Sequence, residues 1–350
     1  MPVRGHKGLA SLSLLVIAAL VLAACGGGGG QGAGGDTIRV GVVYDVGGRG
    51  DQSFNDMAYA GLERARQEFG DRLEGQDAEP DSGGQNREDL LRTFAEQGYD
   101  LVIGVGFIFA ELITKLAQEY PDVKFAIVDS CSTTPEPLPN VACLVFKEHE
   151  GSFLVGAAAA MKTQSGTVGF VGGMLSPLIQ RFEAGYIAGV RHINPDVQVL
   201  SDYAGTTGEA FNDPTKGREL ALAQIQRGAD IIYHAAGGTG RGVFEAVKQQ
   251  GRLAIGVDAD QSLTAPDYAD VILTSMMKRV DVAVYDVIKS VVDGNYQGGF
   301  REYGLAQDGV GYAVNDHNRA MIEDIIDQLD ELKQQIIDGE IEVPESPDQL

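Results

Sequence analysis

Short apolar runs, each closed by turn residues, alternate with amphipathic stretches along most of the chain, and this alternation limits the fold more than any other feature. The runs lie at 38–44, 101–105, 125–128, 141–146, 167–171, 197–203, 231–234, 253–257 and 271–274. Between them, apolar residues recur at helical spacing over 56–69, 86–96, 109–120, 153–161, 179–193, 214–226, 242–249 and 280–292. Strand-length runs interleaved with helical segments predict parallel sheets covered by helices on both faces. The strands are too many for one compact sheet, and a chain of 350 residues is longer than one core usually serves. The expected class is therefore α/β, with two doubly wound parallel-sheet lobes. A last helix over 318–337 carries one apolar stripe to pack on a lobe, and the tail at 341–350 is expected to fray.

The first residues bear on the compartment. A basic start (Arg4, His6, Lys7) leads into an apolar run over 9–24, shorter than the roughly 20 residues that a membrane-spanning helix needs. Basic flank, short apolar stretch and small residues before a cut are the pattern of a secretory signal, here 1–24. Leu22-Ala23-Ala24-Cys25 resembles the bacterial lipobox, which implies that Cys25 is acylated and becomes the mature N-terminus. The alternative is a plain secretory signal with an incidental cysteine. Two or more acyl chains make a stable anchor, and the Gly-rich stretch that completes 25–36 reads as a flexible tether. The folded part would then hang from the extracytoplasmic face of the cell membrane, periplasmic or at the cell surface. With 27 basic and 50 acidic side chains the formal charge is −23. That balance argues against nucleic acid or anionic headgroups as partners and fits a self-repelling soluble monomer.

In open α/β sheets ligands bind at the carboxyl ends of the strands, so the residues just after each run are the site candidates. The first run leads into a Gly-rich turn and Asp51-Gln52-Ser53-Phe54-Asn55-Asp56, where Ser53 or Asn55 could cap the next helix. Asp129 follows 125–128, and Phe182 lies in the helix after Gly172-Gly173-Met174. Gly237 and Gly238 follow 231–234, Asp258 closes 253–257, and Lys278 lies beyond 271–274. The five histidines show no metal-ligand spacing; His192 and His234 read as packed or capping residues, and neither metal nor cofactor is expected. Gly238-Thr239-Gly240-Arg241-Gly242 follows a strand as a phosphate loop would, but it departs from G-x-G-x-x-G and lacks a P-loop Lys-Ser/Thr. No Ser-His-Asp or Cys-His set is apparent, so no catalytic residue is assigned.

Several motifs occur in order: GDQSFND at 50–56, EGSFLVGAAAAM at 150–161, VGFVGGM at 168–174 and FEAGYIAGV at 182–190. AAGGTGRGVFEA at 235–246, IGVDADQ at 255–261 and TSMMKR at 274–279 follow. Over roughly residues 37–315 the chain resembles the basic membrane protein family of ABC transporter substrate-binding lipoproteins, of which the purine nucleoside receptor A group is a branch. The resemblance implies a type I periplasmic-binding-protein fold with a hinge and an interlobe ligand cleft. Crossings are expected near Lys147, Ser275 and Phe300, giving an N-terminal lobe of 37–147 plus 276–300 and a C-terminal lobe of 148–275 plus 301–340. The implied partners are a small ligand, a nucleoside in that branch, and the permease subunits of an ABC transporter. A sensor or surface protein using the same pocket is the alternative.

Carried over by motif, the family's site puts Phe54 and Phe182 on opposite faces of a base. An isolated phenylalanine is usually core, but Phe54 lies in a polar turn. Asn55 can donate and accept at a purine edge, and Asp129 can accept from ring N–H groups. Asp258 offers two oxygens to ribose hydroxyls, and Lys278 can donate to a ribose oxygen. The bland alternatives are caps for the aspartates and a solvated charge for Lys278. Asp51, Gly237 and Gly238 are weaker candidates, since turn geometry alone accounts for them. Cys131 and Cys143 bracket a Pro-rich loop beyond Asp129 and are expected to pair in an oxidising compartment.

Overall fold

The apolar runs become the strands of two sheets in the computed structural model, which describes residues 37–350. The signal, Cys25 and the tether lie outside the described residues. The first lobe begins with β1 (Ile38–Val43), α1 (Phe54–Phe69), β2 (Leu73–Ala78), α2 (Arg87–Glu96), β3 (Leu101–Val105), α3 (Ala110–Glu119), β4 (Lys124–Val128) and β5 (Val141–Phe146). The second lobe follows with α4 (Glu148–Lys162), β6 (Thr167–Met174), α5 (Pro177–Ile193), β7 (Gln198–Gly205) and α6 (Pro214–Gln226). It continues through β8 (Ile231–Ala235), α7 (Gly240–Gln249), β9 (Leu253–Asp258), α8 (Gln261–Thr264) and β10 (Ile272–Lys278). The chain then returns to the first lobe for α9 (Val280–Val292) and β11 (Gly299–Tyr303). It finishes in the second with β12 (Val310–Tyr312), α10 (Arg319–Ile322) and α11 (Ile326–Ile337).

Each sheet has six strands, in the orders β11-β5-β4-β3-β1-β2 and β12-β10-β9-β8-β6-β7. β12 runs antiparallel to β10, and the other pairs are parallel. The central strands are apolar on both faces because both faces are covered. Leu101, Ile103 and Val105 of β3 join the core beneath α1 and α9, while Val102 joins the one beneath α2 and α3.

The chain crosses between lobes at Lys147, Arg279 and Gly304. The last two crossings lie beyond the expected Ser275 and Phe300. β10 stays paired with β9 through Met277, and β11 stays paired with β5 through Tyr303. Strand pairing thus puts β11 in the first sheet and β10 and β12 in the second.

Three strands escape the periodicity, and all are edges. β2 reads LEGQDA and buries only Leu73; β11 exposes Phe300; β12 is three residues long. An edge strand has one neighbour, and polar or short sequences there limit unwanted pairing. The expected helix at 318–337 is broken into α10 and α11. The 341–350 tail does not fray: Ile341 and Val343 pack on the core, Glu345 lies 3.3 Å from Arg181, and a 3-10 turn follows.

The glycines of two of the motifs are explained by packing. A Cβ on Gly156 of α4 would sit 2.2 Å from the Tyr186 carbonyl oxygen of α5. One on Gly185 would meet the His149 carbonyl at 2.2 Å, and one on Gly189 the Phe153 carbonyl at 2.0 Å. The small residues of EGSFLVGAAAAM and FEAGYIAGV thus let two helix backbones touch. Ser176 caps α5, accepting from the Ile179 N–H, with Pro177 in its first turn. Helix α5 in turn carries Phe182 to the cleft.

Candidate functional site

The carboxyl ends of both sheets face a cleft between the lobes, lined by residues of both. The turn after β1 is organised by Asp51, whose carboxylate accepts from the backbone N–H groups of Ser53 (2.9 Å), Asn55 (2.8 Å) and Asp56 (3.1 Å). Asp51 therefore provides the cap expected of Ser53 or Asn55. Asn55 accepts from the Asp45 N–H at 3.0 Å and donates to Asp51 at 3.1 Å and to the Val46 carbonyl oxygen at 3.5 Å. That leaves chiefly one oxygen lone pair for a ligand. Freed from capping, Ser53 donates to Asp258 of the other lobe at 2.5 Å.

Asp129 follows β4 with φ 68° and Asp258 ends β9 with φ 62°. Residues other than glycine seldom adopt this left-handed conformation, and such strain collects at functional sites. Lys278, 1 % exposed, ends β10. Its ammonium lies 2.6 Å from Asp129 and 3.3 Å from Glu148. It also sits 5.2 Å from the centroid of Phe54, 5.4 Å from Phe182 and 5.0 Å from Phe146, within cation–π range of all three.

Burial disfavours the Lys278 ammonium, but Asp129, Glu148 and Asp258 outweigh it and hold its pKa above the usual value. Burial also pushes Asp258 up to about 6, with Lys278 and the Ser53 hydroxyl opposing. It raises Asp45 and Glu148 to about 7. The floor therefore sets the firmly charged Lys278, with Arg181 3.6 Å from Glu148, among carboxyl groups, several of them poised to take up protons below neutrality.

Of the residues singled out from the sequence, Asp51, Phe54, Asn55, Asp129, Phe182, Gly237, Asp258 and Lys278 all line the cleft. Gly238 does not; it lies behind Gly237 in a 3-10 turn. His234 is fully buried against Phe244, and His192 packs on Phe153. Asp45 and Phe107 were missed although they follow β1 and β3, where the strand-end rule points. Phe211 and Glu148 carried no such signal: Phe211 ends a 3-10 turn (Gly208–Phe211) after β7, and Glu148 backs Lys278 from the start of α4. Cys131 and Cys143 are paired, with Cα atoms 4.6 Å apart.

Two doubly wound lobes, crossed three times and enclosing a cleft at their strand ends, define a solute-binding protein of the periplasmic type. The chain belongs to the Bmp family, the PnrA-like ABC transporter substrate-binding proteins, whose model matches residues 38–347. That is a family of binding proteins and not of enzymes. A CD4+ T-cell-stimulating antigen of Listeria monocytogenes is 38% identical over 331 residues, covering 88% of each chain. An uncharacterized lipoprotein of Pyrococcus horikoshii is 41% identical, covering 79% of this chain and 69% of that protein. The ABC transporter nucleoside-binding protein BmpA of Lactococcus lactis is 32% identical over 88% of this chain and 89% of its own. Among solved structures, an ABC transporter solute-binding protein of Aeropyrum pernix is similar at a TM-score of 0.77 and 34% identity, covering 89% of this chain and 95% of that one.

Proposed function

We propose that this protein binds a nucleoside, of the purine class, in the interlobe cleft and presents it to the permease of an ABC transporter. The observation that carries the reading is the Lys278 ammonium set beside the Phe54 and Phe182 rings, with Asp129 and Asp258 at the ends of their strands. Two aromatic faces suit a flat heterocycle, and stacking contributes roughly 1–3 kcal/mol per base. Carboxylates accept from ring N–H groups and sugar hydroxyls, and Lys278 donates to a sugar oxygen. The name of the Lactococcus relative supports a nucleoside ligand. In this reading Cys25 is lipidated and tethers the protein to the membrane, as the name of the Pyrococcus relative suggests; mass spectrometry of the mature N-terminus checks it.

Calorimetry tests the ligand, using the intact chain stripped of bound molecules by unfolding and refolding. Guanosine, inosine and adenosine are expected to bind at micromolar concentration or below, about −8 kcal/mol or better. A 2′-deoxynucleoside leaves an acceptor on Asp258 unpaired and should lose about 1–3 kcal/mol. Asp258→Ala should narrow that gap, and Phe54→Ala should weaken both sugars alike. Absence of heat with every nucleoside sinks the assignment.

A further inference from the structure

The GDQSFND and IGVDADQ motifs each contain residues that the ligand site does not use, and the fold brings those residues together. Gln52 stands in the left-handed region at φ 58°. Its carbonyl oxygen accepts from the Gln261 amide at 3.1 Å and from the Thr264 hydroxyl at 2.9 Å. The adjacent Ser53 hydroxyl lies 2.5 Å from the Asp258 carboxylate and 3.4 Å from the Val257 carbonyl oxygen. Gln52 and Ser53 belong to the first lobe and their partners to the second, so these bonds join the lobes directly. Gln261 is itself held, its side-chain oxygen accepting from the Val257 N–H at 2.8 Å. Neither Gln52, Ser53, Gln261 nor Thr264 lines the cleft.

We infer that the Gln52–Ser53 turn is an interlobe latch. It sets the equilibrium between open and closed cleft and orients Asp258, so that it governs how long a ligand stays more than how fast it arrives. Once closed, the cleft can open only by breaking the bonds to Gln52 and Ser53, whatever occupies it. Bonds absent from the open form act on release, because encounter occurs before they are made. The left-handed turn at Gln52 aims its carbonyl at two donors together, and Asp51 holds that turn through the N–H groups of residues 53, 55 and 56. The latch depends on lobe closure and not on the identity of the ligand.

Thr264→Val is the cleanest probe: the residue is exposed, and the change removes only the hydroxyl of an isosteric side chain. Ser53→Ala removes the second arm. In stopped-flow experiments with guanosine on the intact chain, the double variant should release about tenfold faster, equivalent to about 1.4 kcal/mol. Its association rate should stay within about threefold of the parent's. Small-angle scattering on the ligand-free chain should show a larger radius of gyration in the double variant, with an unchanged circular-dichroism spectrum. Equal slowing of association, unchanged release, or an unchanged radius in the folded double variant overturns the latch. Should guanosine fail to bind even the parent, the nucleoside reading falls, and the scattering comparison still decides the latch.

Discussion

Lys278→Met is the perturbation whose outcome follows most directly from the geometry. The methionine keeps the length and apolar stem of the lysine and removes its charge. Asp129 at 2.6 Å and Glu148 at 3.3 Å lose the Lys278 ammonium, Glu148 keeping the Arg181 guanidinium at 3.6 Å, and both carboxylates are buried. Glu148 is fully inaccessible, and neither of its oxygens has a hydrogen-bond partner among the described residues. Breaking a buried ion pair by removing one partner costs about 3–5 kcal/mol, against a total stability of roughly 5–15 kcal/mol. The loss should depend on pH. Burial raises the carboxyl pKa of Glu148 to about 7 and that of Asp129 above its usual value, and Lys278 opposes both shifts. An acid with a raised folded pKa binds protons more tightly in the folded state, so its contribution is greatest at low pH and is lost as pH rises through the folded value. Without Lys278 these values rise further. The deficit should therefore be full at pH 8 and clearly smaller at pH 5. Scanning calorimetry of parent and variant at both values measures it. Adding Asp129→Asn and Glu148→Gln to Lys278→Met should recover part of the loss, because both carboxylates in contact with Lys278 are then neutral as well, with Asp258 and Arg181 still charged nearby. A deficit below about 1 kcal/mol, or one equal at pH 5 and pH 8, would refute the electrostatic account.

Nucleoside binding should be flat above about pH 7 and weaken as pH falls through about 6, where Asp258 gains a proton and one acceptor is lost; calorimetric titrations from pH 8 to 5 would show this, and a flat profile would exclude Asp258 as an ionised partner. Gly189→Val should unfold the α4–α5 crossing or lower the melting temperature steeply, since its Cβ would stand 2.0 Å from the Phe153 carbonyl; a variant as stable as the parent would show that the helices can part. The unreduced, denatured protein should titrate no thiol from Cys131 or Cys143, and reduction should lower stability by about 3 kcal/mol for a twelve-residue separation; two free thiols would show that the bond is not formed.

Local pattern determined which segments are strands and helices, because a buried parallel strand needs an apolar run and a covering helix needs an apolar face. It also pointed to Asp129, Asp258 and Lys278, since a residue's place at the end of a strand is a local property. Resemblance to a known family supplied the aromatic pair, which pattern alone would have left in the core. The edge strands β2, β11 and β12 were hidden because one-sided pairing asks little of their side chains. The crossings at Arg279 and Gly304 were decided by how far β10 and β11 remain paired with strands distant in sequence. Ser53 looked like a helix cap, and only the tertiary structure shows Asp51 capping in its place while the Ser53 hydroxyl reaches Asp258, 205 residues away. Glu148 gave no sign of its place behind Lys278, because the burial of a charge depends on what long-range packing lays over it. Periodicity reports each residue's own preference for a face, whereas hydrogen-bond partners and desolvation belong to pairs of segments that meet only when both lobes have formed.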